Sequence, residues 1–220
     1  CPFHRQLAPR TSASNRRHGG HGTTQQPERR RHGNRCGGQL EVGIGAEEAI
    51  KLMTVPKGVK IELVASEEQF PELVSPVQMA WDTKGRLWIS AWKNYPERTP
   101  WSKEGDKLLV FDIDPQTGKF TKCTTFLDGL NCPTGFQLYK DGVLVMQSPD
   151  MWFVRDTDGD GRADKFTVFA DKLNLATSLV FVNGGILVSE ARHMLFLKDT
   201  DGDGKADVRE ADRKSTRLNS

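Results

Sequence analysis

The hexapeptide DTDGDG occurs twice, at 156–161 and 199–204, and the 43 residues between Asp156 and Asp199 are the period of a longer repeat. Shifted by 43, the segment FLDGLNCPTGFQLYKDGVLVMQSPDMWFVRDTDGDGRADKF from Phe126 overlays without a gap on FADKLNLATSLVFVNGGILVSEARHMLFLKDTDGDGKADVR from Phe169. Asn131 meets Asn174, Thr134 meets Thr177, Gly142 meets Gly185 and Phe153 meets Phe196. From Asp156 to Asp164 eight of nine loop positions agree. A degenerate earlier copy, SPVQMAWDTKGRLWISAW, places Pro76 on Pro133 and Gly85 on Gly142. The shift there is 57 and returns to 43 at Gly118 and Phe126, so 14 residues are inserted between about Ala91 and Asp106.

Each unit reads as four short strands, in the middle copy GFQLY, GVLVMQ, MWFVRD and KFTVFA, rich in Val, Leu and Phe and separated by Gly, Asp and Pro turns. Four strands per roughly 40–45 residues is the signature of a propeller blade. A β-solenoid would use a shorter period, and a sandwich does not normally repeat its sequence. The expected fold class is therefore all-β, a partial β-propeller of two to three four-stranded blades spanning 45–211. Ahead of the blades, AEEAIKLM suits a short helix, and VKIELVAS suits a strand that would complete another blade. Propellers usually close with four or more blades, so this length leaves sheet edges bare.

Charge is divided along the chain. Residues 1–39 hold eight Arg, one acid (Glu28) and four of the five His, whereas 40–211 carry 20 basic against 27 acidic residues, a net −7. An acidic body does not suit a nucleic-acid partner. The basic stretch 1–44 reads as a low-complexity tail, disordered or artefactual. The last residues, 212–220 (DRKSTRLNS), back-translate readily to a sequencing-library adapter, which predicts that the natural protein continues past about Glu210. No apolar run of 18 residues exists, so no membrane-spanning helix is expected. No secretory signal is visible in a chain that opens on Cys1 and looks truncated there.

The acidic loop has its own chemistry. DTDGDGKADVRE places Asp199, Asp201, Asp203 and Asp207 at positions 1, 3, 5 and 9 of an EF-hand-like loop, with Gly204 at 6 and Glu210 at 12. The earlier copy supplies Asp156, Asp158, Asp160 and Asp164 but closes on Thr167. The flanks MWFVR and KFTVF look like strands, so a strand–loop–strand calcium site is expected in place of an EF-hand. An acidic turn rigidified by Asp side chains on backbone amides, with no metal, fits the same residues. Cys123 and Cys132 are nine residues apart, a spacing that fits a disulfide or two free thiols equally.

Taken together in this order, VPKGVKIELVA, GRLWISAWKNYP, DGLNCPTGF, GVLVMQSPDMWFVRDTDGDGRAD and LKDTDGDGKADVRE resemble the N-terminal β-propeller region of the membrane-bound dehydrogenase family of planctomycete and verrucomicrobial type, relatives of quinoprotein glucose/sorbosone dehydrogenases. The resemblance covers about 45–210. It implies a secreted or periplasmic propeller, a sugar or alcohol dehydrogenase activity, and a haem-binding cytochrome module with a CxxCH motif. This sequence has no CxxCH, so a haem would belong to a downstream module. Up-and-down strands would gather LNCPTG, QSPD, LNLATS, SEARH and the inserted WKNYPERTPW on the face opposite the acidic loops. That face would take a polar, saccharide-like substrate or a quinone such as PQQ. His193 would act as general base, with Asp150 or Arg192 assisting, and Trp92, Tyr95 and Trp101 would form an aromatic lid. The alternative is a non-catalytic, calcium-stabilised scaffold that binds polysaccharide or protein.

Overall fold

A computed structural model describes residues 44–94, 99, 102 and 104–212. The expectations for 1–43 and 213–220 lie outside the described residues. The chain begins with a short helix, α1 (Ala46–Leu52), and then runs without regular structure to the first strand.

Among the described residues twelve strands follow in three antiparallel sheets, each built from four consecutive strands in sequence order. The first sheet holds β1 (Pro76–Trp81), β2 (Leu87–Ala91), β3 (Asp106–Ile113) and β4 (Phe120–Leu130). The second holds β5 (Gly135–Tyr139), β6 (Gly142–Gln147), β7 (Asp150–Arg155) and β8 (Lys165–Ala170). The third holds β9 (Ser178–Val182), β10 (Gly185–Ser189), β11 (Met194–Lys198) and β12 (Val208–Asp212). The first strands of the sheets lie side by side, β5 against β1 and against β9. Meandering sheets that meet along their first strands are the blades of a partial β-propeller.

The blades stack through their faces. One core joins Trp88, Leu108, Val110 and Phe126 of the first blade to Phe136, Val143, Val145 and Val154 of the second. Another joins Leu144, Met146, Met151, Phe153 and Phe169 of the second blade to Leu179, Ile186, Val188, Leu195 and Leu197 of the third. The second blade is thus covered on both faces, which is why β6 is apolar at four consecutive positions, Val143 to Met146, all buried. Among the described residues no strand ladder joins one blade to the next, and between β1 and β5 a side chain substitutes for one. Gln78 of β1 donates to the Phe136 carbonyl (2.8 Å) and accepts from the Phe136 amide (2.9 Å).

The segment VKIELVAS is not a strand. It pairs with no strand among the described residues. Its period-two pattern survives as an extended run in which Ile61, Leu63 and Ala65 are partly covered while Glu62 and Val64 are exposed. Ala65, Phe70 and Leu73 pack over Phe111 and Phe120 on the outer face of the first blade, with the Phe70 ring edge-on to Phe111 at 5.3 Å. Side-chain burial, without backbone pairing, accounts for the alternation.

Candidate functional site

The two acidic loops connect β7 to β8 and β11 to β12, and strands flank both. In the first loop the Asp156 carboxylate accepts the amides of Gly159 (2.7 Å) and Gly161 (2.9 Å). Both glycines have positive φ (81° and 90°), a conformation side chains disfavour, and this lets the chain curl around Asp156. Asp158 and Asp160 each accept one amide with Oδ1, from Asp160 and Arg162. One carboxylate oxygen from each of Asp156, Asp158 and Asp160 lies within 4.8 Å of the others. Asp199, Asp201 and Asp203 form the same cluster in the second loop.

The remaining members of the expected ligand sets lie elsewhere. Asp164 spends both oxygens on Thr157, accepting its amide (3.0 Å) and its hydroxyl (2.7 Å). Asp207 does the same with the amide and hydroxyl of Thr200. The threonine hydroxyl, with nearby amides, holds each of these carboxyls below its ordinary range against a desolvation cost. Glu210 sits on β12 opposite Phe196 and is exposed. Each loop also ties its blade to the one before, through Ala163 N to Phe126 O and Ala206 N to Phe169 O, both 2.8 Å.

On the opposite face the turns between blades are caught by polar side chains. Asp106, with no exposed surface, accepts the Asn94 amide (3.0 Å), the Asn94 side-chain amide (3.1 Å) and the Cys132 amide (2.7 Å). It thereby fixes the end of the 14-residue insertion to the turn entering the second blade. Gln147 accepts the Asn131 amide (2.7 Å), and its repeat counterpart Glu190 accepts the Asn174 amide (2.9 Å). Glu190 also holds His193, Nε2 to Oε2 at 2.8 Å, with side-chain exposures of 3% and 33%. His193 is thus brought to a buried carboxylate that orients its ring. Asp150, its counterpart one repeat earlier, opens β7 opposite Gln147. Arg192 is exposed on the turn. The Trp92 indole donates to the Pro133 carbonyl at 3.0 Å, and Tyr95 and Trp101 lie outside the described residues.

Among the described residues Cys123 and Cys132 are both free. Cys123 is within β4 and Cys132 is beyond its end, so extended chain at ~3.3 Å per residue holds them far past disulfide reach. Burial, with the negative charge of Glu72, pushes the Cys123 thiol up to about 11.

Two cavities open between blades on the acidic-loop side. The larger, about 710 Å³ between the first two blades, is lined by Asp82, Arg86, Trp88, Lys122 and Asp156 among others. The smaller, about 310 Å³ at the next interface, is lined mainly by Tyr139, Phe169, Phe181 and Leu197, with Asp199 at its edge. Lys140, whose Nζ lies 2.8 Å from Asp199 Oδ2, and Asp106 were not among the residues expected from the sequence. The counterpart of Lys140 one repeat on is Asn183, so the pattern carries no signal for it, and only the fold shows what each one reaches.

The family model of a domain of unknown function (DUF7133) matches residues 45–165 and 154–212. No curated protein matches the chain. Among solved structures, the holo PQQ domain of a pyranose dehydrogenase from Coprinopsis cinerea matches with a TM-score of 0.38 at 13% identity. That match covers 59% of this chain, which spans 29% of the other chain's length.

Proposed function

The chain belongs to the family of a domain of unknown function (DUF7133), and we propose that it is a calcium-stabilised propeller module of an extracytoplasmic protein. The cluster of Asp156, Asp158 and Asp160, repeated at Asp199, Asp201 and Asp203, carries this reading. Calcium takes six to eight oxygens at about 2.3–2.6 Å, so oxygens on one ion are up to about 5 Å apart, and carboxylates converging within 4.8 Å fit it. Asp158 and Asp160 each retain an oxygen that no amide occupies. Three carboxylates completed by water or carbonyls make a weak site, matched to the roughly 10⁻⁴–10⁻³ M affinities of extracellular modules. A bound ion would stiffen a loop that ties its blade to the one before.

Calorimetric titration of calcium into the full chain tests this. Heat of binding at submillimolar to millimolar calcium is expected, with a rise in Tm that EDTA reverses. At 100-fold excess over Kd the stabilisation is about 2.7 kcal/mol. No heat at millimolar calcium, together with an unchanged Tm, removes the reading.

A second reading, a propeller of a quinoprotein-like sugar or alcohol dehydrogenase, is favoured by the pairing of His193 with buried Glu190. An imidazole held by a carboxylate on an exposed face can take a proton from a hydroxyl. Asp150 and Arg192 are the proposed assistants. Trp92, whose ring is held by its indole N–H on the Pro133 carbonyl, is the proposed stacking surface for a quinone such as PQQ. Dye-linked saccharide oxidation that disappears in His193→Ala supports this second reading, and unchanged oxidation excludes His193 as the base. A downstream cytochrome partner belongs to this reading only.

A further inference from the structure

The two acidic loops, nearly identical in sequence, differ in what reaches them. Lys140, on the turn between β5 and β6 of the second blade, extends across the interface to the third blade's loop. Its Nζ lies 2.8 Å from Asp199 Oδ2, and the Asp199 side chain has no exposed surface. The ammonium also lies 5.0 Å from the centre of the Tyr139 ring, and that ring stacks on Phe181 of the third blade at 5.7 Å.

One interface earlier the repeat puts Asp82 where Tyr139 stands and Thr83 where Lys140 stands. Asp82 turns back into its own blade, accepting from Arg86 Nε (2.7 Å) and Trp88 Nε1 (3.0 Å). Among the described residues no lysine or arginine pairs with Asp156, which lines the larger of the two cavities.

We propose that Lys140 is the internal cation of the second acidic loop, a latch between blades two and three that takes the place of a metal ion there, so that the chain binds one calcium and not two. This rests on the calcium reading for the first loop. A fixed ammonium at a buried carboxylate oxygen opposes entry of a divalent cation by charge repulsion and by occupying a ligand atom. The latch costs the protein no bound ion, and it makes the second loop a clasp whose strength is independent of calcium.

Calcium stoichiometry, measured by equilibrium dialysis on the full chain, tests this with the variants Lys140→Gln, Asp158→Asn and Asp201→Asn. One ion in the parent chain is expected, lost in Asp158→Asn and kept in Asp201→Asn, rising to two in Lys140→Gln. Two ions in the parent overturn the latch and leave the calcium reading standing. None in the parent but one in Lys140→Gln, abolished by adding Asp201→Asn, keeps the latch and ends the calcium reading for the first loop. None in either chain ends both. Thermal denaturation in EDTA gives a readout without metal. Lys140→Gln should lower Tm in the parent chain but add nothing in an Asp199→Asn background, where the shared contact is already gone; Asp199→Asn alone should cost more, because that carboxylate also accepts the amides of Gly202 (2.7 Å) and Gly204 (3.1 Å). Additive losses overturn the latch.

Discussion

At Asp106 a carboxylate with no exposed surface is balanced by three N–H donors from two separate loops. Replacing it with Ala leaves the half-buried amides of Asn94 and Cys132 without their acceptor. The expected loss is about 1–3 kcal/mol for each group left unpaired, read as a lower urea midpoint. A loss within 0.5 kcal/mol, roughly that of an ordinary surface change, would show that water replaces the carboxylate. The carboxyls of Asp82 and Asp199 respond to pH in a related way. Burial pushes both up, and hydrogen bonds from Trp88 and Arg86, or from Lys140 and the amides of Gly202 and Gly204, outweigh it and leave both below 3.8. A depressed folded-state value means the unfolded chain binds protons first as pH falls. Their stabilisation is therefore fully present above 3.8 and is lost as pH drops through the lower folded value. Tm should be level from about pH 5 to 8 and fall below about pH 4. A Tm that holds steady below pH 3 would contradict this.

The strand–loop–strand element repeats down to single atoms. Gly142 opens β6 and its counterpart Gly185 opens β10. A Cβ at Gly142 would meet the Val154 carbonyl oxygen at 2.3 Å, and one at Gly185 would meet the Leu197 carbonyl oxygen at 2.6 Å. Backbone cannot retreat from such a contact without disturbing the ladder to β7 or β11. Gly142→Ala should cost about 1–3 kcal/mol, measured by chemical denaturation. An unchanged midpoint would show that the hairpin can shift. These glycines and the DTDGDG loops stand at fixed places in the period, so the four strands of the middle blade could be read from the chain almost to the residue. VKIELVAS was less legible, because a period of two reports one covered side and is silent on backbone pairing.

On the scale of the whole molecule, stability comes from faces between blades. Leu144 of the second blade is fully buried against the third, while its counterpart Leu187 lies on the third blade's other face and is only partly covered. On that face Val180 is 53% exposed and Val182 37%. Leu144→Ala should cost about 2–5 kcal/mol and Leu187→Ala markedly less, although the residue and its place in the repeat are the same. Equal losses would mean that something covers the third blade in solution, and a difference that shrinks with rising protein concentration would identify the cover as a second copy.

The repeat by itself determined the all-β class, the strand count per blade and the side of the molecule on which the acidic loops sit. Period, turn residues and alternation are local properties that any stacking of the units must respect. Only the tertiary structure decided which acidic residues converge, since Asp164 and Asp207 are claimed by Thr157 and Thr200 and Glu210 is drawn into β12. It also decided that two loops with the same letters are unlike in charge. Lys140 lies 59 residues before Asp199, and no pattern along the chain brings them together. Contact across a blade interface depends on how sheets pack, and packing is fixed by the apolar faces of all the strands at once.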